Sequence, residues 1–309
     1  MIFKADSKVL IQGIAEPLGK THARLMKAYG TQVVGSVSPG YGGQQIDDLP
    51  VFDMVEQALA EVGPVDSSVI FVSPYSVLDA ALEAIAAGIK QIIIITEGVP
   101  PLDMVNLVRK AERQETLLVG PNTPGVIVPG KILLGTHPQE FYTPGKIGLI
   151  SRSGTLTYEI AHQLTKAGLG QSIGVGIGSD AIVGSSFAQW LQILDEDEDT
   201  EAIVLVGEIG SGGEEAAAAY IEEAIDKPVV AYLAGTYAPK GKRLGHAGDL
   251  MAAQLSVGNP EKVRPIGADP ATAQKKLSAF KAAKIPVAQR PAEIPNLVKK
   301  ALKTSSKKK

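Results

Sequence analysis

One histidine, His246 in the segment KRLGHAGD, is a candidate for nucleophilic chemistry. Its small neighbours would let the imidazole come close to backbone donors. An imidazole nitrogen attacks phosphoryl groups well once a carboxylate holds its other nitrogen. A single histidine is more often structural, so a phosphohistidine is a reasonable hypothesis only if a carboxylate and an anion-binding group belong to the same domain.

A carboxylate of this kind is Glu208, which directly follows the apolar run IVLVG. At the carboxyl end of a strand and before glycine-rich sequence, two roles are open to it. It could cap the following helix, or it could orient an imidazole by accepting its N–H.

The anion-binding candidate is SRSGTLTYE, which passes from a strand into a helix through Ser151, Arg152, Ser153 and Gly154. Hydroxyls and a cation lie there at the end of the helix that favours an anion. Ser153 could instead be an ordinary N-cap, and the G-x-S-x-G spacing of a hydrolase is missing. The loop GIGSDAIVG adds a second turn of small residues.

The elements that must position these residues alternate between strands and helices along the chain. This alternation predicts parallel sheets covered by helices, with a Rossmann-like domain followed by a flavodoxin-like open α/β domain. The stretch from Val128 to Gly145 is rich in loop residues and is the predicted boundary, so the domains are expected at 1–137 and 138–309. The strand-like segments are VLIQG, TQVVGSV, SSVIFV, QIIIIT, ETLLVG, KIGLIS, GQSIGVGI, EAIVLVGEI and PVVAYLAG.

In the first domain, three turns could face a ligand, because ligands bind beyond the carboxyl ends of parallel strands. The turn GIAEPLGKTHA lacks a dinucleotide fingerprint, and SVSPGYGGQ could equally be a structural turn. The third, TEGVPP, puts Thr96 and Glu97 between a buried strand and a helix that starts with proline.

Composition excludes several classes of function. The 309 residues carry 30 Lys and Arg against 33 Asp and Glu, which gives no general attraction to nucleic acid or to an anionic membrane. The absence of cysteine excludes disulfides, thiolate catalysis and cysteine-based metal sites, and no other metal site is predicted in this chain. No apolar run approaches the roughly 20 residues of a membrane span, so a cytoplasmic protein is expected.

Several motifs together resemble the α subunit of succinyl-CoA synthetase, the ADP- or GDP-forming succinate–CoA ligase. They occur in the family's order from the first strand to about Gly248. The segments that carry the resemblance are GPNTPGVI, SRSGTLTYE, VGEIG, PVVAYLAG, APKGKR and GHAG.

The resemblance implies roles for individual residues. His246 would carry the phosphoryl group, Glu208 would hold its imidazole, and Ser153 with Gly154 would begin a helix that faces it. Tyr158 falls where the family places a residue near the organic acid. The implied coenzyme A (CoA) contacts are Gly13, Gly19, Lys20, Tyr41, Thr96 and Glu97.

The resemblance also implies substrates and a partner. CoA would be a substrate, and a nucleotide-binding ATP-grasp β subunit would hold ATP or GTP with magnesium, in a heterodimer or an α2β2 assembly. This chain itself has no G-x-x-x-x-G-K-[ST] loop. Two departures, Ala15 to Leu18 in the first turn and Tyr41 in place of a lysine, predict weaker binding of the CoA phosphates.

Three functions remain open at this point. The first is the α subunit of a succinate–CoA ligase, with malate or citrate as alternative acids. The second is a noncatalytic CoA-responsive binding protein. The third, a nicotinamide-dependent oxidoreductase, rests on the Rossmann-like half alone, which lacks the G-x-G-x-x-G fingerprint.

Overall fold

The computed structural model describes residues 2–209, 213–236 and 270–305, with the side chains of 270–272 left out. These residues form two compact units. One unit holds Ile2–Gln139 together with Ile182–Ser185, and the other holds the remaining described residues. Among the described helices, none has the length and apolar character needed to cross a membrane.

The first unit is a sheet of seven strands in the order β3-β4-β2-β1-β5-β6-β7, followed along the chain by the antiparallel hairpin of β8 and β9. Apart from the antiparallel β3–β4 pair, all neighbours in the sheet are parallel. The elements are β1 Lys8–Gln12, α1 Pro17–Tyr29, β2 Gln32–Val37, β3 Gln45–Ile46, β4 Leu49–Phe52, α2 Val55–Val62, β5 Ser67–Ile70, α3 Val77–Ala86, β6 Gln91–Ile94, α4 Pro101–Arg113, β7 Leu117–Val119, β8 Gly125–Val128 and β9 Ile132–Gly135.

The order of the six parallel strands is that of the Rossmann fold, with the first strand at the centre and the chain reversing direction beside it. Central strands of such a sheet are covered on both faces, which explains why β6 reads as a continuous apolar run. Its residues Ile92, Ile93 and Ile94 are all fully buried. The sequence therefore encodes the sheet through runs of apolar residues rather than through alternation.

The second unit has five parallel strands in the order β14-β13-β12-β10-β11. Because β10 comes first in the chain and has a neighbour on each side, this order is the flavodoxin-like one. The elements are β10 Pro144–Ser151, α5 Gly154–Lys166, β11 Gln171–Gly176, α6 Phe187–Glu196, β12 Ala202–Glu208, α7 Glu214–Ala224, β13 Val229–Ala234, α8 Pro270–Ala282, β14 Val287–Ala288 and α9 Ile294–Ser305.

The predicted fold class is confirmed, but short elements differ from the prediction. The β3–β4 hairpin turns through Asp47 and Asp48, which both have positive φ angles of 50° and 62°. Two consecutive left-handed residues suit a tight hairpin, and Asp tolerates this conformation although Gly or Asn is the usual signal. The stretch expected to be rich in loop residues contains β9, and helix α9 continues as far as Ser305.

A four-residue segment, Ile182–Ser185, belongs to the first unit although it follows β11 in the chain. The Gly184 N–H donates to the carbonyl of Gly120 at 2.7 Å, and Ile182 packs against the apolar core of the first unit. A Cβ on Gly184 would come within 2.3 Å of the Leu118 Cβ, so a glycine is needed for this approach. No local pattern in four residues can reveal such a long-range contact.

A buried imidazole makes the stability of the chain depend on pH. The His137 ring is buried, its Nε2 lies 3.0 Å from the Gly125 carbonyl oxygen, and burial lowers its pKa from 6.5 to about 4. The unfolded chain therefore binds this proton more readily than the folded chain between those two values. The stabilising effect of the neutral ring is complete above about pH 6.5 and is lost as the pH falls toward 4.

We expect the free energy of unfolding to fall by about 2 kcal/mol between pH 7.5 and pH 5 through His137 alone. Urea titrations at both pH values would measure this loss in the unmodified chain and in His137→Gln, in which the loss should be smaller by that amount. The matched control is His162→Asn, which leaves the buried ring in place. An equal pH dependence in the His137 variant and the unmodified chain would contradict the prediction.

Candidate functional site

The candidate site of the second unit lies where the chain reverses direction in its sheet, between β10 and β12. The two strands are parallel neighbours, with Ser151 paired to Val206. The Arg152 N–H extends the ladder by donating to the Val206 carbonyl at 3.0 Å. Since open α/β sheets bind ligands at such a reversal, the ends of β10 and β12 are the place where a ligand is expected.

The helix that follows β10 begins without a side-chain cap. Ser153 occupies the N-cap position of α5, and its hydroxyl makes no capping hydrogen bond. Ser186, by contrast, forms a complete capping box with Gln189 at the start of α6. Ser153 is therefore the N-cap residue by position, as the alternative held, but its side chain gives the first N–H groups of the 13-residue helix α5 no capping hydrogen bond. Such a terminus favours an anion.

A buried cation lies beside this terminus. The Arg152 side chain is only 5% exposed, and its Nη2 donates to the Asp180 carbonyl at 2.7 Å. The Ser179 hydroxyl donates to the Arg152 carbonyl, which ties the GIGSDAIVG loop to the same place. Within the described residues the Arg152 Nε makes no hydrogen bond, although it lies 3.8 Å from the Glu208 Oε1. A buried positive charge therefore lies near the candidate carboxylate, on the residue that precedes the N-cap of α5.

Arg152 belongs to the anion-binding segment predicted from the sequence, but its proximity to Glu208 was not predicted. The available signal was its position between two serines at the end of a buried strand, where a cation can reach an anion held at the helix terminus.

Glu208 is the last residue of β12 and is 7% exposed. The residue at the N-cap position of α7 is Gly213, so Glu208 is not the N-cap residue of the following helix. Its N–H donates to the Glu214 Oε1 at 3.0 Å, and its carbonyl accepts from the Lys276 Nζ at 2.7 Å. Sequence reasoning missed Glu214 and Lys276, because neither belongs to a motif and Lys276 lies 68 residues further along the chain.

Of two other residues predicted for this site, the structure describes Tyr158 but not His246. Tyr158 lies on α5 and is partly buried, one turn after Gly154. It neighbours Tyr142, whose phenol pKa is raised well above its usual value, first by burial and then by Tyr158. The predicted phosphoryl carrier His246 lies outside the described residues.

The first unit has a cavity of about 600 Å³ at the point where its own sheet reverses, between β1 and β5. Its lining includes Gly13 and Ala15 after β1, Ser38 and Tyr41 after β2, and Val72 after β5. This volume is in the range of small-molecule and cofactor sites. The cavity therefore lies where a Rossmann-like domain binds its ligand.

Two glycines from the predicted CoA set shape this cavity. Gly13 has a φ of 93°, and a Cβ there would come within 2.9 Å of the Val72 backbone nitrogen. A Cβ on Gly19 would come within 2.1 Å of the Gly13 carbonyl oxygen, which is closer than any real contact. Gly19 therefore lets helix α1 approach the turn after β1, and Gly13 lets that turn approach the end of β5.

Of the other residues predicted to contact CoA, only Tyr41 belongs to the lining of this cavity. Tyr41 lines the cavity and is 45% exposed. The Thr96 hydroxyl donates to the Val72 carbonyl at 2.7 Å, so it supports the cavity wall. Glu97 is exposed, and Lys20 is drawn toward Asp47, with 3.9 Å between its Nζ and the Asp47 Oδ1.

The charged residues that line the cavity within the described chain are all carboxylates. The Asp53 Oδ1 accepts the N–H groups of Gly40 at 2.7 Å and Gly42 at 3.0 Å, which organises the loop after β2. The charged lining residues are Glu16, Asp53, Asp79 and Glu83. An acidic lining disfavours a phosphate, which agrees with the expectation that the CoA phosphates are bound weakly or through cations from elsewhere.

Comparison with known proteins finds a family model that matches each of the two parts of the chain. Residues 4–98 match the family model described as a CoA binding domain, and residues 150–263 match the CoA-ligase model. A CoA-binding Rossmann-like domain followed by a CoA-ligase domain defines the class of acid–CoA ligases. Within that class, the chain belongs to the family of succinate–CoA ligase alpha subunits. The resemblance found in the sequence is thus confirmed.

Individual relatives support this assignment over most of the chain. Succinate–CoA ligase (ADP-forming) subunit alpha 2 of Archaeoglobus fulgidus is 45% identical over 302 residues, which cover 98% of this chain and 99% of the relative. Malate–CoA ligase subunit alpha of Methylorubrum extorquens is 46% identical over 257 residues, 82% of this chain and 86% of the relative.

A solved structure of low identity shares the fold. ATP citrate lyase from Methanothrix soehngenii, solved in complex with citrate and coenzyme A, superposes with a TM-score of 0.82 at 23% identity. The alignment covers 100% of this chain, which spans about half (51%) of the length of that chain. This likeness supports the fold only.

Proposed function

We propose that this chain is the CoA-binding and phosphohistidine-carrying subunit of an enzyme that interconverts succinyl-CoA, phosphate and a nucleoside diphosphate with succinate, CoA and a nucleoside triphosphate. In this proposal residues 1–137 bind CoA and residues 138–309 carry the phosphoryl group on His246. The family membership and the two domains support this assignment.

The observation that carries the proposal is the meeting of three groups at the reversal point of the second sheet. The uncapped N-terminus of α5 favours an anion, Arg152 adds a buried positive charge, and Glu208 presents a buried carboxylate. A phosphoryl group needs the first two, and an imidazole that carries it needs the third.

The reaction would proceed in three steps. Phosphate displaces CoA from succinyl-CoA, which forms succinyl phosphate and the free thiol. A nitrogen of His246 then attacks the phosphorus and releases succinate, and the phosphoryl group finally passes to the nucleoside diphosphate. Ser153 and Gly154 would stabilise the charge on the phosphoryl oxygens, and Tyr158 would lie near the acid. Such a reaction depends on positioning and electrostatic stabilisation more than on a strong base.

The CoA site is proposed at the cavity between β1 and β5. Gly13 and Tyr41 line it, while Gly19 and Thr96 support its wall. Lys20 and Glu97 complete the proposed set, although Lys20 would have to leave Asp47 to reach a phosphate.

A nucleotide site is proposed on a partner, the β subunit that an alpha subunit of this family requires. An ATP-grasp fold for that partner, its bound magnesium and ATP or GTP, and a heterodimer or α2β2 assembly stay predictions. A cytoplasmic location also stays a prediction.

Radiolabelled ATP or GTP tests the proposal directly. We expect the chain, purified with its β partner, to acquire label that is stable in base and labile in acid, as a phosphohistidine is. Adding succinate with CoA should discharge the label and yield succinyl-CoA, whereas malate or citrate with CoA should leave it in place.

Two results would overturn parts of this proposal. An unlabelled chain would exclude the phosphohistidine. Discharge of the label by malate with CoA, but not by succinate with CoA, would show that the acid substrate is malate, as the name of the Methylorubrum extorquens relative states for that protein.

A further inference from the structure

Glu208 is held by a closed ring of contacts formed with Glu214 and Lys276. The Glu208 N–H donates to the Glu214 Oε1 at 3.0 Å, the Glu214 Oε2 lies 2.8 Å from the Lys276 Nζ, and that Nζ donates to the Glu208 carbonyl at 2.7 Å. Both amide groups around the Cα of Glu208 are therefore fixed by one buried ion pair. We refer to the Glu214–Lys276 pair as the clamp.

The clamp is unusual in its burial. The side chains of Glu214 and Lys276 are both 0% exposed. Removing two charges from water costs several kcal/mol per ion, and a pair of hydrophobic residues would often be as stable or more so. Stability alone therefore does not explain the clamp, which is better explained by the position in which it holds the end of β12.

The neighbouring backbone is shaped to admit the clamp. A Cβ on Gly207 would come within 2.6 Å of the Glu214 Cγ and 2.8 Å of its Oε1. Glu214 is also the first residue of α7. Its side chain extends back from the helix to the end of β12, where it accepts the Glu208 N–H. Strand β12, helix α7 and helix α8 thus meet at a single residue, Glu208.

We infer that Glu214 and Lys276 are positioning residues for the phosphoryl-transfer step, and that they act by fixing the Glu208 carboxylate. This inference rests on the proposed function, because it takes Glu208 to be the group that holds the His246 imidazole. The clamp holds the main chain of Glu208, and the side chain starts from that main chain and lies 3.8 Å from the Arg152 Nε. Loss of the clamp lets the carboxylate shift relative to both the cation and the imidazole.

The first variant is Lys276→Met, which is unbranched like lysine, is one atom shorter and removes the charge. We expect the rate of labelling by ATP to fall about 10- to 100-fold, as for other groups that orient a catalytic ligand. The KM for CoA, which binds in the other unit, should stay within about twofold of its value in the unmodified enzyme. The matched control is Lys275→Met, because Lys275 is the exposed neighbour on the same helix.

A second variant covers the case in which the first does not fold. Lys276→Met leaves Glu214 as a buried charge without its cation, which is expected to lower the melting temperature by about 10 °C. Glu214→Gln combined with Lys276→Met removes both charges and keeps an acceptor for the Glu208 N–H. This double variant should recover most of the melting temperature but not the labelling rate.

A double-mutant cycle with Glu208→Gln distinguishes positioning from general damage. If Lys276 acts through the Glu208 carboxylate, adding Lys276→Met to Glu208→Gln should change the labelling rate less than about twofold. Two results would overturn the positioning role of the clamp. One is an equal loss of labelling rate on adding Lys276→Met to the unmodified enzyme and to Glu208→Gln, and the other is a normal labelling rate in the Glu214→Gln, Lys276→Met double variant. Failure of the proposed function looks different, because the unmodified enzyme would then carry no label.

Discussion

Replacement of His246 by asparagine is expected to abolish phosphoryl transfer. The labelling by ATP and the formation of succinyl-CoA should both fall by at least about 10³-fold, because removal of a nucleophile leaves only binding and electrostatic stabilisation. Asparagine is close to imidazole in size and keeps a polar group, so the loss would come from the missing nucleophile rather than from packing. Acid-labile label on the purified chain is the direct measurement.

The control for this variant is a histidine of the same domain. His162 lies on α5 with its ring 5.0 Å from that of Phe141, and His162→Asn should keep the label. Equal labelling of His246→Asn and the unmodified chain would show that the phosphoryl group is carried elsewhere.

Replacement of Glu208 by glutamine is expected to lower the labelling rate about 100-fold, which is the scale of losing a group that orients a histidine. Glutamine has the size of glutamate but lacks the negative charge that stabilises a protonated imidazole. The buried Arg152, 3.8 Å away, would also lose its counter-charge. The rate of label transfer in single turnover measures this effect separately from CoA binding.

The control for Glu208→Gln is Glu201→Gln, at the residue that immediately precedes the same strand. Glu201 forms an exposed ion pair with Lys146, and exposed pairs contribute little to stability. A thermal melt of both variants would show whether the loss of rate in Glu208→Gln comes with unfolding. A Glu208 variant that is folded and fully active would contradict the assigned role.

The regular elements of the fold could be predicted from the sequence because they are encoded locally. The apolar runs around Ile93 and Val204 predict buried parallel strands, and the proline after TEGV predicts the start of α4. The β3–β4 hairpin was missed because its turn uses two aspartates in place of the usual glycine or asparagine.

The candidate site could be predicted only where its residues belong to motifs. Glu208 ends a strand, and Ser153 with Gly154 follow one, so all three lie at the same edge of the second sheet. The fate of the Ser153 hydroxyl could not be predicted, because a serine at this position either caps the helix or leaves its terminus available to a ligand. The packing around the helix terminus decides between the two.

The amino-acid sequence is sufficient to predict the two parallel sheets, the family, and a candidate phosphoryl site composed of a histidine, a carboxylate and a helix terminus. These follow from periodicity and from motifs of consecutive residues. Tertiary packing alone shows that Lys276 and Glu214 hold the main chain of Glu208, and that the buried Arg152 lies beside Glu208. The physical reason is that buried charges are stable only when distant parts of the chain bring their partners together, and no local pattern records those partners.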